Sequence, residues 1–406
     1  MSASVESSVE NGSIRSQTRS GASMMKTLGW GLYCTSSWTW CIGMFLPIVM
    51  LRRFGWPGFL VFAIPNIIGL VAFGYLFDVE KARKALQRHR VAMRLFSIAT
   101  AAFQLFFVTW MALRLQLPGG TNTAVGIGLG AWLIALATVR FSDAVWWKLG
   151  SVVWICSITL FVLHLMQSGP GELARRPMSG AVPGLDLIAL APAIVFGFLL
   201  CPWLDGSFHR ARIRSASPHT FMVFGATFIP MILFTCTYAI GGDILLERLV
   251  LIQLALQATF TTGVHLKEAW TGGCDVEAGD DGGTMTEQVA ARRWRFALWV
   301  PGLAIPLGAL ALTADLSTYL RFLGFYGLAF PAYVLFFMIV RAGRAPGVRQ
   351  WLMFLLLMFP TGIAFDVGFI GDQPLAIPFT ISLLMLLGAV FWIINVENQA
   401  QELENG

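Results

Sequence analysis

The stretch FGFLLCPWLDGSFHRAR, residues 196–212, decides which architecture we expect of this chain. It begins like the interior of a membrane span and ends in a basic run, with Pro202 and Asp205 between the two. Proline has no N–H to donate, and its ring clashes with the carbonyl group four residues earlier, here that of Phe198. Within a membrane, backbone groups freed in this way persist only where they line a cavity or contact other protein groups. The stretch therefore predicts a discontinuous membrane helix whose break forms a site, with a simple proline kink as the alternative.

The composition of the whole chain is that of a membrane protein. Of its 406 residues 56% are hydrophobic and only 12% are charged, which is too apolar for a water-soluble core of this size. The net charge is +6, but the cations lie mainly between apolar segments, so we expect them to orient the chain in a bilayer and not to bind nucleic acid. Residues 1–23 are polar and serine-rich, which predicts a disordered cytoplasmic tail.

The apolar segments predict an all-α integral membrane protein with about twelve transmembrane helices. A helix needs roughly 20 apolar residues to cross the hydrocarbon core. With the N-terminus inside, 21 of the 28 Lys and Arg residues fall on the cytoplasmic side. This bias predicts a multi-pass protein of the cell membrane, plasma or inner, with both termini cytoplasmic. The predicted spans are 28–51, 55–78, 92–115, 121–139, 145–167, 184–206, 218–241, 244–267, 294–313, 316–340, 349–370 and 375–396.

The first predicted span has a weak point of its own. GLYCTSSWTWCIG, residues 31–43, places four hydroxyl side chains between two glycines, which favours a local unwinding, although hydroxyl groups also serve plain helix contacts. The second broken span follows five spans later, and a five-helix unit repeated once has opposite orientations in its two copies. We therefore expect an inverted repeat that binds its cargo between the broken helices near the bilayer midplane. The expected units are a first repeat at 24–167, a second repeat at 184–341 with an acidic cytoplasmic loop at 271–290, two further helices at 347–396, and a cytoplasmic tail at 397–406.

Five plus five plus two helices resembles the LeuT-type fold of the amino acid–polyamine–organocation superfamily. LDGSFHRAR, residues 204–212, is similar to the run that ends the sixth helix in its nucleobase–cation symporters, and the sodium–solute symporters are the other similar group. LALQATFTTGVHL, residues 254–266, resembles the Ala–x–x–Ser–Thr pattern of sodium-coupled members. The resemblance implies Na⁺ as the coupling ion, with H⁺ as the alternative. It implies Ala258, Thr261, Thr262 and a backbone carbonyl near Cys41 as the ligands.

The solute-binding residues that we predict lie on the first, third and sixth spans. Gln104 is a buried amide that must find partners; the resemblance implies substrate binding, and a bond to a neighbouring helix is the alternative. Asp205 lies either near the inner interface, where it would pair with Arg210 or His209, or at the floor of a cavity. The full predicted set is Ser36, Ser37, Trp38, Thr39, Gln104, Trp203 and Asp205.

Two residues of later spans allow more than one interpretation. His265 lies one turn past Thr262, where it could titrate as a proton-coupling group, but an interfacial position is the commoner one. Tyr326 lies between glycines in FLGFYGLAF, residues 322–330, where it could gate a central cavity or simply pack. Lys267 stands where some nucleobase carriers place an amide, so the sequence does not indicate a purine or pyrimidine as cargo.

The predicted function is secondary active transport of a small solute through a lipid bilayer. The chain has no HExxH, no GxSxG and no phosphate loop, so we do not predict an enzyme. A membrane-embedded enzyme stays a less favoured alternative, because His209 with Asp205 is its only His–Asp pair at one membrane face. A sensor or receptor that keeps a transporter-like fold is the stronger alternative, and it would need a partner protein for its output.

Overall fold

The computed structural model describes residues 23–114, 118–170, 180, 184–215, 217–238, 248–272, 287–340, 346–371 and 373, with a few more positions between 383 and 393. In these ranges the chain is helical and forms no strand. Eight of the described helices are long and apolar enough to cross a membrane. The all-α membrane class is therefore confirmed. The described residues leave out most of the two predicted tails, most of the loop at 271–290 and most of the last predicted span.

The helices are numbered in chain order. Their bounds are α1 23–38, α2 Leu46–Leu76, α3 Val79–Arg88, α4 Arg90–Arg114, α5 Gly120–Thr138, α6 Asp143–Ser168, α7 Gly184–Leu200, α8 Gly206–Ser215, α9 His219–Thr235, α10 Arg248–Thr271, α11 Glu287–Leu310, α12 Leu316–Tyr333 and α13 Val348–Phe365. A short 3₁₀ turn, Cys201–Leu204, joins α7 to α8. π-Helical turns extend α12 over Val334–Val340 and α13 over Asp366–Ile370.

The first two predicted spans are divided differently from the prediction. Residues 39–45 are not helical, so the predicted span 28–51 is split between α1 and the beginning of α2. The tight turn predicted at 52–56 is instead a kink inside α2, at Gly55 with φ 69° and ψ −160°. Glycine adopts this left-handed φ without steric cost, so the chain bends there without leaving the helix.

The described residues contain fewer membrane-crossing helices than the twelve spans that the sequence predicts. The predicted seventh and ninth spans contain the shorter apolar helices His219–Thr235 and Trp299–Leu310, in addition to the eight long ones. The count of twelve and the inverted repeat therefore stay predictions.

Burial divides the long helices into an inner and an outer group. In the apolar windows of α4 and α10, 83% and 67% of residues are buried, against 17% in α5 and 22% in α6. The outer helices expose large apolar side chains such as Leu133, Ile134 and Met166. Lipid tails are as apolar as these side chains, so such exposure carries no penalty in a bilayer. The pair α4 and α10 forms the inner scaffold.

Glycines allow the broken helices to approach their neighbours closely. A Cβ on Gly69 of α2 would lie 2.7 Å from the carbonyl oxygen of Phe198 in α7, and one on Gly150 of α6 would lie 2.7 Å from the Cα of Tyr33 in α1. Small residues at such crossings let backbones pack directly, which is a main source of helix association in membranes. The ends of α1 and α7 are thereby held in place.

Candidate functional site

The first interruption, residues 39–45, has its freed carbonyl groups bonded by side chains of other helices. The Tyr319 hydroxyl of α12 donates to the carbonyl oxygen of Cys41 at 3.0 Å. The Thr235 hydroxyl at the end of α9 donates to that of Gly43 at 2.9 Å. Non-helical backbone at membrane depth needs such partners inside the protein. The unwinding predicted for the first span is confirmed, and its acceptors are satisfied by hydroxyl groups of distant helices.

The second interruption lies at Pro202, where α7 ends and a 3₁₀ turn begins. Asp205 then has an extended backbone, with φ −79° and ψ 107°, and α8 starts at the next residue. The Asp205 carboxyl oxygen Oδ1 accepts a hydrogen bond from the backbone N–H of Ser207 at 2.8 Å, in the manner of a helix N-cap. The helix is broken here, so the simpler interpretation as a proline kink is wrong.

The two interruptions contact each other. The hydroxyl oxygens of Ser37, in the last turn of α1, and Ser207, in the first turn of α8, lie 3.4 Å apart. The rings of Trp38 and Phe208 pack with their centroids 5.1 Å apart. The break in the first span and the break in the sixth therefore meet through one polar and one aromatic contact.

A cavity of about 60 Å³ lies beside this meeting point, and we refer to it as the central cavity. Its lining residues come from the first interruption, the adjoining part of α2, the α7 end, α12 and Phe365 of α13, and none of them is charged. Aromatic rings are prominent among them, namely Trp38, Trp40, Phe198 and Tyr326. A water molecule needs about 10–15 Å³ of such space, so the central cavity holds a few waters. A larger solute requires its walls to move apart.

Most of the predicted solute-binding side chains of the first span make protein contacts outside this lining. Only Trp38 lines the central cavity. The Ser36 hydroxyl donates to the carbonyl oxygen of Gly150 at 2.9 Å, whereas those of Ser37 and Thr39 donate within α1, to Cys34 and Thr35. These three hydroxyls join helices or bond one turn back. They therefore make the plain helix contacts that the sequence offered as the alternative role of the cluster.

Trp203 lies at a different place from the rest of the predicted set. It packs against Phe77 and lines a second cavity of about 380 Å³. The cationic residues Lys81, Lys84 and Arg88 of α3 also line that cavity. The sequence did not reveal this separation, because the direction of a side chain on a 3₁₀ turn depends on how the turn is seated against its neighbours.

Gln104 and Thr261, predicted for the solute and for sodium, are bonded to each other. The Gln104 amide nitrogen donates to the Thr261 hydroxyl oxygen at 2.6 Å, and both side chains are fully buried. The Thr261 hydroxyl in turn donates to the carbonyl oxygen of Gln257 at 2.8 Å. Ala258 and Thr262 are buried on the same helix, whereas the carbonyl group of Cys41 is bonded by Tyr319. The alternative proposed for Gln104, a bond to a neighbouring helix, is present.

An ion-pair network closes the end of the bundle that is predicted to be cytoplasmic, and we refer to it as the inner network. Arg210 of α8 is fully buried, and its guanidinium donates to both carboxylate oxygens of Glu268 in α10, at 2.6 and 3.2 Å. It also donates to Asp143 at the start of α6, at 3.0 Å. Arg214 and Lys267 bond the same Asp143, at 2.7 and 3.0 Å.

Sequence reasoning missed the inner network. Its signal was weak: a few charges at the ends of otherwise apolar helices. The network also decides between the two positions considered for Asp205. Arg210 pairs with Glu268 and Asp143, and the His209 ring contacts the carbonyl oxygen of Trp203 at 2.9 Å, so Asp205 forms an ion pair with neither.

The His265 side chain is buried inside the protein, and its position relative to the membrane interface stays a prediction. Its ring lies 6.4 Å from that of Trp40 and 6.0 Å from that of Phe96, measured between centroids. Among the described residues neither ring nitrogen has a hydrogen-bond partner. The contact with Trp40 places His265 directly behind a wall of the central cavity. Tyr326, considered as a gate, lines the central cavity itself.

Comparisons with known proteins give no match: neither a family model, nor a curated protein, nor a solved structure. In the described part of the chain no group of three His, Cys, Asp or Glu side chains is placed to hold a metal ion. That search does not concern sodium, whose predicted ligands are hydroxyl and carbonyl oxygens. The features of the molecule that bear on its function are therefore the two interruptions and the central cavity.

Proposed function

We propose that this chain is a secondary active transporter that moves a small solute across a cell membrane by alternating access. The observation that carries the proposal is the contact between the two interrupted helices, Ser37 with Ser207 and Trp38 with Phe208, beside a small central cavity. Interrupted helices present unpaired N–H and C=O dipoles inside a bundle, and these bind polar groups and ions without charged side chains. A protein with only a structural role has no use for two breaks that meet at membrane depth.

The walls of the central cavity favour an uncharged solute with an apolar or aromatic part. Indole and phenol rings offer large flat faces together with a polar edge, as Trp40 and Tyr326 do here. A charged solute would lose its hydration without gaining a counter-charge from the lining, which is expensive. The glycines Gly197, Gly324 and Gly327 in the same lining let the walls approach closely, since a Cβ on Gly324 would lie 2.7 Å from the ring of Phe365.

The inner network provides the closure that alternating access requires. It joins α8, the second half of the broken sixth span, to α6 and α10. Release on that side needs α8 to move, so the ion pairs of Arg210 must break. A solute and a coupling ion, Na⁺ or H⁺, drive transport if both stabilise the same conformation, because their binding free energies are then linked.

Uptake of a solute library into proteoliposomes tests the proposal, with an inward Na⁺ gradient, an inward pH gradient or neither. We expect uncharged solutes with aromatic or apolar parts to accumulate under one of the gradients. Trp38→Ala removes a wall of the central cavity and should reduce uptake at least tenfold. Trp299→Ala, the same change at a side chain that is 67% exposed in α11, should leave uptake unchanged.

One outcome would contradict transport, and another would contradict the central cavity as the solute site. If no solute moves, while solute binding still changes the tryptophan fluorescence of the protein, the chain is a sensor and not a carrier. If Trp38→Ala and Trp299→Ala transport equally well, the central cavity is not the solute site.

A further inference from the structure

The carboxyl group of Asp205 is buried at the second interruption with half of its bonding capacity unused. The side chain is fully buried. Oxygen Oδ1 accepts the Ser207 N–H, whereas Oδ2 is inaccessible and has no hydrogen-bond partner among the residues that the structure describes. A buried polar atom left without a partner is rare and calls for a ligand or a functional reason.

No cation in the described part of the chain neutralises this carboxyl group. Three residues of α1 and the 3₁₀ turn interact with it electrostatically, namely Tyr33, Cys34 and Cys201. Their phenol and thiol groups carry no positive charge. The titratable or charged groups around it are Tyr33 and Cys34 of α1, Cys201 of the turn, His209 and Arg210 of α8, Glu268 of α10, Tyr326 of α12, and His89, which faces His209.

The two basic side chains that follow Asp205 most closely in the sequence have other partners. Arg210 is held by Glu268 and Asp143, and the His209 ring packs against Phe73 with its Nε2 at the carbonyl oxygen of Trp203. A carboxylate at this depth is destabilised relative to the neutral acid, because the N–H and hydroxyl groups of Ser207 replace only part of its hydration.

Asp205 is also the end of a chain of hydroxyl groups that crosses from the sixth span to the first. The Ser207 hydroxyl interacts with the carboxyl group and lies 3.4 Å from the Ser37 hydroxyl. Ser37 donates its own hydrogen to the carbonyl oxygen of Cys34 at 3.0 Å. The hydrogen shared by the two serines must therefore come from Ser207.

Protonation of Asp205 decides where the single Ser207 hydrogen goes. An ionised carboxylate competes for it and draws it away from Ser37. A neutral acid does not, so the Ser207 hydroxyl stays bonded to Ser37 and the two broken helices remain joined. The proton adds to one carboxylate oxygen and no other bond forms or breaks.

We propose that Asp205 is the proton-binding carboxyl group of this protein and that H⁺ is the ion to which transport is coupled. This inference rests on the proposed transport function. A proton needs a single oxygen, and Oδ2 supplies it. A metal cation needs about six oxygen ligands, and the oxygens around Asp205 are already bonded to one another. Coupling arises because the proton stabilises the conformation in which α1 and α8 are joined.

Infrared difference spectroscopy tests the carboxyl group without any solute. Purified protein in lipid nanodiscs should show the carbonyl stretch of a protonated carboxylic acid at mildly acidic pH, where exposed carboxyl groups are already ionised, and raising the pH above neutral should remove it. Asp205→Asn should lack the band. Asp366→Asn should keep it, because Asp366 is an exposed carboxylate paired with Arg321 at 2.7 Å. If Asp205→Asn does not fold, Asp205→Glu should show the band at a shifted frequency. A spectrum in which wild type and every Asp205 variant are identical would overturn the proposal.

Solute uptake provides a second measurement, which is independent of the infrared band. For a solute found in the library, the ratio of uptake with and without an inward pH gradient should exceed ten in wild type and fall to one in Asp205→Asn, with Asp366→Asn like wild type. A ratio that stays high in Asp205→Asn, or uptake driven by Na⁺ alone, would overturn proton coupling. If wild type moves no solute at all, the transport proposal fails, and the infrared band still decides whether Asp205 binds a proton.

Discussion

The inner network makes a sharp prediction about Glu268→Gln. Arg210 is fully buried, and its polar contacts include Glu268 at 2.6 and 3.2 Å, Asp143 at 3.0 Å and Thr271 at 3.2 Å. Glutamine removes the charge and points an amide N–H group at one guanidinium nitrogen. Breaking a buried ion pair costs about 3–5 kcal/mol, and the retained Asp143 places this case at the lower end. If the ion pairs of Arg210 are absent in the open conformation, Glu268→Gln destabilises the closed conformation by about 3 kcal/mol. The equilibrium between the closed and open conformations then shifts about a hundredfold toward the open one.

Thiol labelling in membrane vesicles measures this change. Cys34 is buried in α1, one turn before Ser37, and we would keep it as the only cysteine. An impermeant maleimide added on the side of the inner network should label it up to about a hundred times faster in Glu268→Gln than in the parent, following the equilibrium shift worked out above. Asp366→Asn breaks an ion pair whose side chains are 53% and 41% exposed, which is worth at most about 1 kcal/mol, and should leave the rate unchanged.

A second reporter separates opening from general unfolding. Cys236, buried just after α9, would be kept as the only cysteine of a second variant and should stay unlabelled there when Glu268→Gln is added. Labelling of Cys34 at the parental rate would refute the reasoning, since the network would then not close the protein. Parallel labelling of Cys34 and Cys236 would also refute it, because the substitution would have unfolded the bundle.

Three further changes have defined outcomes. Thr261→Ala combined with Thr262→Ala should leave uptake independent of Na⁺, because H⁺ is the proposed coupling ion and the Thr261 hydroxyl is already bonded to Gln104; a Na⁺ requirement in wild type that rises steeply in the double variant would assign these residues to a sodium site. Pro202→Ala should lower uptake more than it lowers expression, because it permits a continuous helix where the break is needed; normal uptake would leave the proline no functional role. The backbone N–H of Lys81 lowers the pKa of Asp78, the N-cap of α3, so this stabilisation is present at neutral pH and is lost as the pH falls through the lowered pKa. The protection of α3 against hydrogen exchange, corrected for the intrinsic exchange rate at each pH, should therefore fall at acid pH and in Asp78→Ala; equal protection in wild type and variant would show that the cap is not needed.

The two helix breaks could be predicted because each follows from local backbone chemistry. Pro202 lacks a donor wherever it occurs in a helix, and the cluster around Ser37 offers competing hydroxyl groups. The class of protein followed from composition for a similar reason, since lipid exposure requires long apolar segments. These properties do not depend on which helix packs against which.

The partners of each buried polar group could not be predicted, because they are set by contacts across the bundle. Glu268 is 58 residues from Arg210, and Gln104 is 157 residues from Thr261. Neither distance is encoded in a local pattern. The lining of the central cavity was missed for the same reason: Trp40 adjoins predicted residues in the sequence, and only the turn at 39–45 directs it inward.

The central claim is that the two interruptions meet, and a cysteine cross-link tests it most directly. Ser37→Cys and Ser207→Cys would be combined in a chain whose six native cysteines are replaced by serine and that still takes up solute. Because the two side-chain oxygens lie 3.4 Å apart, we predict a disulfide that forms in intact membranes, stops uptake and releases it again on reduction. Failure of the pair to cross-link, or full uptake by the cross-linked protein, would contradict the account.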